Sequence, residues 1–106
     1  MDFVEEIYKI TSEFPMQELY GLTSQLRRSA VSVALNIAEG SGSGFDNEFN
    51  RFLNISIRSS YEVMCALEIA GRLKYCGGEQ VNNLLIKCDE ISAMITGLKK
   101  KLRAES

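Results

Sequence analysis

Three alternating glycines follow an apolar segment in the stretch SVALNIAEGSGSG, which runs from Ser32 to Gly44. Glycines at this spacing could form a phosphate-binding loop, whose backbone N–H groups approach an anion closely. However, Phe45 stands where the dinucleotide-binding pattern G-x-G-x-x-G requires its third glycine, and no Gly-Lys-Ser/Thr sequence follows. A helical pattern rather than a strand also precedes the glycines. The stretch therefore predicts a helix that ends with Gly40 in the left-handed conformation, followed by a flexible turn.

Two glutamates, Glu39 and Glu62, lie within or beside apolar stripes and could act as an acid–base pair. The sequence has no histidine, which excludes Ser-His-Asp and Cys-His catalysis and the Glu-x-x-His metal sites of helical bundles. An all-carboxylate metal site stays open but has no supporting motif. We therefore expect neither an enzyme nor a cofactor. With Arg28, Asn36 and Arg58, the two glutamates are candidates for buried hydrogen-bonded pairs that fix helix register and subunit orientation.

The cysteines indicate no metal or disulfide chemistry. Cys65, Cys76 and Cys88 are odd in number and widely spaced, and no C-x-x-C pair occurs. This pattern fits neither a disulfide framework nor a zinc ribbon. We expect three small apolar side chains that are buried or half-buried.

Charge is distributed unevenly along the chain. Residues 1–50 carry three cations and eight anions (3 − 8 = −5), whereas residues 51–106 carry nine cations and six anions (9 − 6 = +3). The densest basic cluster consists of Lys99, Lys100, Lys101 and Arg103. Cations at a helix C-terminus complement the helix dipole, and this structural explanation is favoured over contact with RNA or DNA. The overall charge of −2 also argues against a general polyanion binder.

Length and composition indicate one globular domain, residues 1–106. The chain is 45% apolar and 25% charged, as is ordinary for soluble proteins, and no apolar run approaches the roughly 20 residues of a membrane span. The acidic N-terminal sequence MDFVEE lacks the basic start of a signal peptide. We expect a cytoplasmic protein that does not enter membranes.

Pro15 and the glycines at 40–44 and 77–78 divide the chain into four segments. Each segment has helical periodicity, and none alternates polar and apolar residues as a strand would. We predict helices at about 2–13, 16–39, 46–74 and 79–103. Because short connections make neighbouring helices antiparallel, the expected fold is all-α, an up-down-up-down four-helix bundle.

The second and third helices each carry a second apolar stripe, although a bundle helix normally needs only one. The members on the second helix are Val31, Leu35 and Ala38. Those on the third are Phe52, Ile55, Ser59, Ala66 and Ile69, in a repeat that only Glu62 interrupts. One interpretation is a single broad stripe on two central helices. The favoured interpretation is a subunit interface, because monomers seldom expose so large an apolar patch. The pattern predicts a homo-oligomer.

Two stretches resemble the signature of the four-helix bundle proteins encoded in 23S rRNA intervening sequences: FPMQELYGLTSQLRRSAVSVALNIAEGSG and FLNISIRSSYE. The first matches the family string F-P-x-x-E-x-x-x-L-x-x-Q-x-R-R-A-x-x-S-x-x-x-N-I-A-E-G. The matching residues are Phe14, Pro15, Glu18, Leu22, Gln25, Arg27, Arg28, Ser32, Asn36, Ile37, Ala38, Glu39 and Gly40.

The resemblance covers nearly the whole chain, and two of the departures from the family pattern bear on helix geometry. Ala34 replaces a proline often found in the family, so the second helix should be straighter, and Arg58 stands where glycine is frequent. Relatives form homopentameric rings, including the accessory protein of diversity-generating retroelements, which binds nucleic acid and a reverse transcriptase through a basic surface. The resemblance implies a pentamer. Together with the second stripes and the missing catalytic residues, it leads us to expect a non-enzymatic homo-oligomeric scaffold. The alternative is an RNA- or DNA-binding accessory protein that uses the basic cluster.

Overall fold

The structure is a computed structural model that describes residues 2–44 and 46–105. These residues form four α-helices and a short 3-10 helix, without any β-strand. The bounds are Asp2–Thr11 for α1, Met16–Glu18 for the 3-10 helix, Leu22–Ser41 for α2, Asp46–Arg72 for α3 and Gly78–Glu105 for α4. The all-α prediction is confirmed. The predicted domain also includes Met1, Phe45 and Ser106, which lie outside the described residues.

Hydrogen bonds between helices show the antiparallel order. Ser32 Oγ lies 2.8 Å from Ser59 Oγ, and Ser56 Oγ donates to the Val33 carbonyl at 2.8 Å, so α2 and α3 run in opposite directions. Ser60 Oγ lies 3.0 Å from Ser92 Oγ, and Lys99 Nζ donates to Asn54 Oδ1, so α3 and α4 also run in opposite directions. The up-down-up-down bundle predicted from the periodicity is therefore confirmed, with overall dimensions of 47 × 23 × 19 Å.

The principal core lies at the end of the bundle that contains α1. Phe3, Ile7 and Ile10 on α1 are buried against the stripes of the other helices, as their spacing predicted. Because a helix rises 1.5 Å per residue, α1 spans about 15 Å and α3 about 40 Å. Over the remaining length the bundle has only three helices, and its buried apolar residues there include Leu53 and Ile95.

The second helix begins later than predicted. Residues from Met16 were expected to be helical, but α2 starts at Leu22 after the separate 3-10 helix. Gly21 has φ −108° and ψ −110°, which is not helical and breaks the chain between the two elements. The spacing of Leu19, three residues before Leu22 and seven before Leu26, predicts that it shares their apolar stripe, but Leu19 lies in this break and is 41% exposed. Past the break, α2 continues without interruption through Ala34.

The prediction that Gly40 ends the second helix in a left-handed conformation is wrong. Gly40 lies within α2, which continues to Ser41, and the left-handed angle occurs at Gly44, with φ 80°. Gly40 is buried because the Phe49 and Phe52 side chains of α3 pack directly against its backbone. Its lack of a side chain permits this close helix contact instead of a turn.

Candidate interaction surface

The first residues of the signature hold the start of α2 against the segment that follows α3. Glu18 Oε1 accepts a hydrogen bond from the Leu22 N–H at 3.2 Å, and Glu18 Oε2 accepts one from Tyr75 Oη at 2.8 Å. The first of these bonds satisfies an N–H group that the start of a helix leaves without a partner. The Phe14 ring packs against the Tyr75 ring at 5.6 Å between centroids. The hydrogen bond to the Glu18 carboxylate, with a smaller effect of burial, raises the pKa of Tyr75.

Arg27 fastens α2 to α1. Its Nε donates to Thr11 Oγ1 at 2.8 Å, and its guanidinium lies 4.8 Å from the centroid of the Tyr8 ring. Lysine could not make both contacts at once, because its side chain has no donor at the position of Nε in addition to its terminal charge. Arg27 is therefore a structural residue of the subunit.

Small polar residues form the seam between α2 and α3. Asn36 Nδ2 donates to the Ser32 carbonyl at 2.8 Å and to Ser32 Oγ at 3.0 Å, and that hydroxyl also contacts Ser59. Gln25 Nε2 and Ser29 Oγ donate to Glu62 Oε2 at 3.3 and 3.1 Å. Short hydroxyl side chains let the two helices approach closely and still provide hydrogen bonds.

The charged candidates are not buried in the single chain, contrary to the expectation of buried pairs. Arg28, Glu39, Arg58 and Glu62 are exposed, and Asn36 is half-buried. None of the four charged residues forms an ion pair within the part of the chain that the structure describes. Burying any of these four charges without a partner of opposite charge would be costly, and none of them has such a partner among the described residues of the subunit.

Glu39 and Glu62 do not share a cavity. Glu62 is hydrogen-bonded to Ser29, whereas Glu39 lies ten residues further along α2, which corresponds to about 15 Å of helix. Glu39 instead lines a shallow depression with Glu48 and Phe52 at the α2–α3 turn. The structure does not bring the two carboxylates together as an acid–base pair.

Six apolar residues of the second stripes remain accessible in the single chain, whereas Ser59 and Ala66, which were assigned to the stripe on the third helix, are buried. Leu35 is 56% and Ile69 46% exposed, Ala38 is exposed, and Val31, Phe52 and Ile55 are half-buried. We define the α2 strip as Arg28, Val31, Leu35 and Ala38, and the α3 strip as Phe52, Ile55, Glu62 and Ile69. The two strips follow the outer sides of adjacent helices.

A groove of about 350 Å³ lies along the α2 strip. Its lining has two cations and no acidic residue, although residues 1–50 are strongly acidic. The lining residues are Tyr8, Arg27, Arg28, Val31, Ser32, Leu35 and Asn36. The groove thus combines an apolar floor with a positive rim.

The basic cluster is spread around α4 rather than gathered on one face. Lys99 and Arg103 are four residues apart and share a face, whereas Lys100 and Lys101 are each rotated further around the helix. Lys99 Nζ donates to Asn54 Oδ1, which attaches this part of α4 to α3. Arg51 and Arg58, three residues before and four after Asn54, share its face of α3.

The cysteines differ in environment. Cys88 is buried, and burial, with the nearby negative charge of Asp89, raises the pKa of its thiol to about 12. Burial also raises the pKa of Cys76, which is half-buried. Cys65 is exposed, contrary to the expectation of a buried or half-buried side chain.

The described residues contain neither a metal-binding cluster nor a membrane-spanning helix. No group of three or more His, Cys, Asp or Glu side chains is placed to hold a metal ion. No helix is both long enough and apolar enough to cross a membrane.

Sequence patterns alone missed two contacts, those of Tyr75 with Glu18 and of Tyr8 with Arg27. Both join residues of separate elements, so helical periodicity gives no signal for them. The only available indication was the signature itself, which contains Glu18 and Arg27 but neither tyrosine.

Comparison with known proteins identifies a family and a similar solved structure. The model of the 23S rRNA-intervening sequence protein family matches residues 1–97. The chain is also similar to the 1.70 Å crystal structure of a protein of unknown function from the S23 ribosomal protein family of Bacteroides thetaiotaomicron VPI-5482. The two are 25% identical, the match covers 93% of each chain, and the TM-score is 0.83. No curated protein matches the chain.

Proposed function

The chain belongs to the 23S rRNA-intervening sequence protein family, and on this premise we propose that it is a non-enzymatic, homo-oligomeric scaffold. The subunit is the helical bundle, and the assembly is a pentamer if it follows the ring that the family resemblance implies. We further propose that the protein acts in the cytoplasm. The scaffold presents several copies of one surface to a partner.

The accessibility of the α2 and α3 strips carries this proposal. Val31, Leu35, Ile55 and Ile69 all keep part of their apolar surface in contact with water. Apolar surface removed from water contributes about 25 cal/mol per Å², so covering both strips would provide a substantial driving force. A second copy is the occupant in this proposal, because the strips and the charges beside them occur together on every subunit.

Charged residues next to the strips support association. Arg28 and Glu39 match the family signature, yet both are exposed and neither has an ion pair within the described residues. The other signature residues with contacts described above, such as Glu18 and Arg27, hold the subunit together. Arg28 and Glu39 make no such stabilising contact in the subunit. At an interface between copies, each could pair with an opposite charge.

Solution mass tests the scaffold. We expect light scattering at micromolar concentration to give a multiple of 11.9 kDa. Leu35→Asp or Ile55→Asp should break the assembly and leave the helix content nearly intact. Ile86→Asp is the matched control, because Ile86 is 55% exposed but lies on α4, outside both strips. A wild-type mass of 11.9 kDa would contradict the proposal.

A second candidate function is nucleic-acid binding, favoured by the Lys99–Asn54 contact. This contact places Lys99 and Arg103 of α4 beside the face of α3 that carries Arg51 and Arg58. The four side chains could form one basic surface, and a ring would repeat it once per subunit. Phosphate contacts from such a surface would bind RNA or DNA without reading bases.

Salt dependence tests this candidate. Affinity that depends on phosphate contacts rises steeply as salt falls. We expect labelled RNA to bind at low salt, and Lys99→Gln with Arg58→Gln to weaken binding and flatten the salt dependence. Lys9→Gln with Lys74→Gln removes the same charge away from this surface and should have little effect. Absence of binding at low salt would rule the candidate out.

A further inference from the structure

We propose that neighbouring copies join head to tail, with the α2 strip of one copy packed on the α3 strip of the next and Arg28 opposite Glu62 of the partner subunit. This inference rests on the proposed homo-oligomeric function and specifies how the copies meet. The interface then consists of two different surfaces rather than one surface paired with itself.

The register between α2 and α3 determines which residues lie at the same height, that is, at the same position along the bundle axis. Ser29 contacts Glu62 at 3.1 Å, Ser32 contacts Ser59 at 2.8 Å, and Ser56 contacts the Val33 carbonyl at 2.8 Å. Arg28, next to Ser29, therefore lies at the height of Glu62. By the same register, Leu35 lies at the height of Ile55.

When two copies pack side by side with their bundle axes parallel and in the same direction, residues at the same level along the axis come into contact. The α2 strip of one copy then runs antiparallel to the α3 strip of the next, as α2 and α3 do within one subunit. Leu35 would pack on Ile55 of the partner subunit, and Ala38 would lie near Phe52 of the partner subunit. Arg28 would face Glu62 of the partner subunit at the same height.

The charges on the two surfaces are complementary. The groove along the α2 strip has Arg27 and Arg28 and no acidic residue. On the α3 strip, the two donors to Glu62 among the described residues use Oε2, so Oε1 can accept from a cation. Gln25 and Ser29 hold the carboxylate in place before the partner arrives, which lowers the entropy cost of pairing.

Head-to-tail contact also explains why both strips are apolar. A contact between two different surfaces either closes into a ring or continues as a filament. In a closed ring, one neighbour covers the α2 strip of each subunit and the other neighbour covers its α3 strip. No strip is then left exposed to water. A two-fold contact of α2 with α2 could pair Arg28 with Glu39 of the partner subunit, but it would leave Phe52, Ile55 and Ile69 accessible.

Charge reversal distinguishes these two arrangements. We expect Arg28→Glu to raise the dissociation constant of the assembly by about tenfold or more, because it places like charges opposite each other. Adding Glu62→Arg should restore assembly close to the wild-type level. Adding Glu39→Arg makes the same charge change at another glutamate beside the strips and should restore nothing. Circular dichroism and thermal unfolding of each variant confirm that the subunit stays folded.

Each other outcome overturns the inference. Rescue by Glu39→Arg without rescue by Glu62→Arg would show the two-fold contact. An Arg28→Glu variant that assembles normally would remove Arg28 from the contact, and a loss that neither reversal rescues would show that Arg28 faces neither Glu62 nor Glu39 of the partner subunit. A monomeric wild-type protein would instead refute the proposed scaffold itself, and that result is separate from all three.

Discussion

Tyr75 Oη donates a 2.8 Å hydrogen bond to Glu18 Oε2 and thereby connects residues 57 positions apart in the chain. The other oxygen of the same carboxylate accepts from the Leu22 N–H at the start of α2. The Glu18 side chain thus caps a helix and also holds the connection between α3 and α4 against it. This relationship gives the Glu18 position of the signature a structural role.

The Tyr75–Glu18 bond should make stability depend on alkaline pH. The carboxylate favours the neutral phenol, so the pKa of Tyr75 in the folded state is raised above its ordinary value of 10.0. A group whose pKa is raised on folding stabilises the native state fully below its unfolded pKa and loses that effect as pH rises through the folded pKa. We therefore expect part of the stability to disappear above pH 10.

Chemical denaturation at several pH values checks this expectation. Wild type should lose more unfolding free energy than Tyr75→Phe between neutral and strongly alkaline pH. Tyr20→Phe serves as the control, because Tyr20 is 93% exposed and should leave the wild-type dependence unchanged. Equal pH dependence of wild type and Tyr75→Phe would show that the bond does not stabilise the fold.

Gly40→Ala should destabilise the subunit. A Cβ atom at Gly40 would lie 2.5 Å from Phe49 Cδ1 and 3.0 Å from Phe52 Cβ, so α2 and α3 would have to move apart. Overpacking of this kind typically costs about 1–3 kcal/mol. Thermal or urea unfolding of the variant measures the cost.

Gly97→Ala is the matched control for Gly40. Gly97 also lies inside a helix, but nothing lies within 4 Å of a Cβ added there. Alanine in an open helical position is favoured over glycine by about 0.5–1 kcal/mol. The same substitution should therefore have opposite signs at the two sites, and destabilisation at both would contradict the packing argument.

The three cysteines should react with thiol reagents in a fixed order. Cys65 is exposed and should react first, followed by half-buried Cys76. Cys88 should react only on unfolding, because burial restricts access and its thiol, with a pKa of about 12, forms almost no thiolate at neutral pH. Mass spectrometry after timed labelling identifies each site. Rapid labelling of Cys88 in the folded protein would show that the core opens readily.

Periodicity in the sequence determined the helices and the faces that form the core. Apolar residues at spacings of three and four mark one side of a helix wherever it packs, so the stripe of Val81, Leu84 and Cys88 could be assigned without coordinates. The same rule failed at Leu19, because a local pattern does not reveal a break such as the one at Gly21.

The sequence by itself thus determined an all-α bundle, its antiparallel order, its family and the existence of second apolar stripes, because these follow from local spacing, short connections and a recognisable signature. Only the tertiary structure decided what each polar residue contacts. Glu18 finds Tyr75, Arg27 finds Thr11, and Gly40 meets Phe49 through the register between distant helices. That register depends on the packing of whole helices against one another, which no short stretch of sequence encodes.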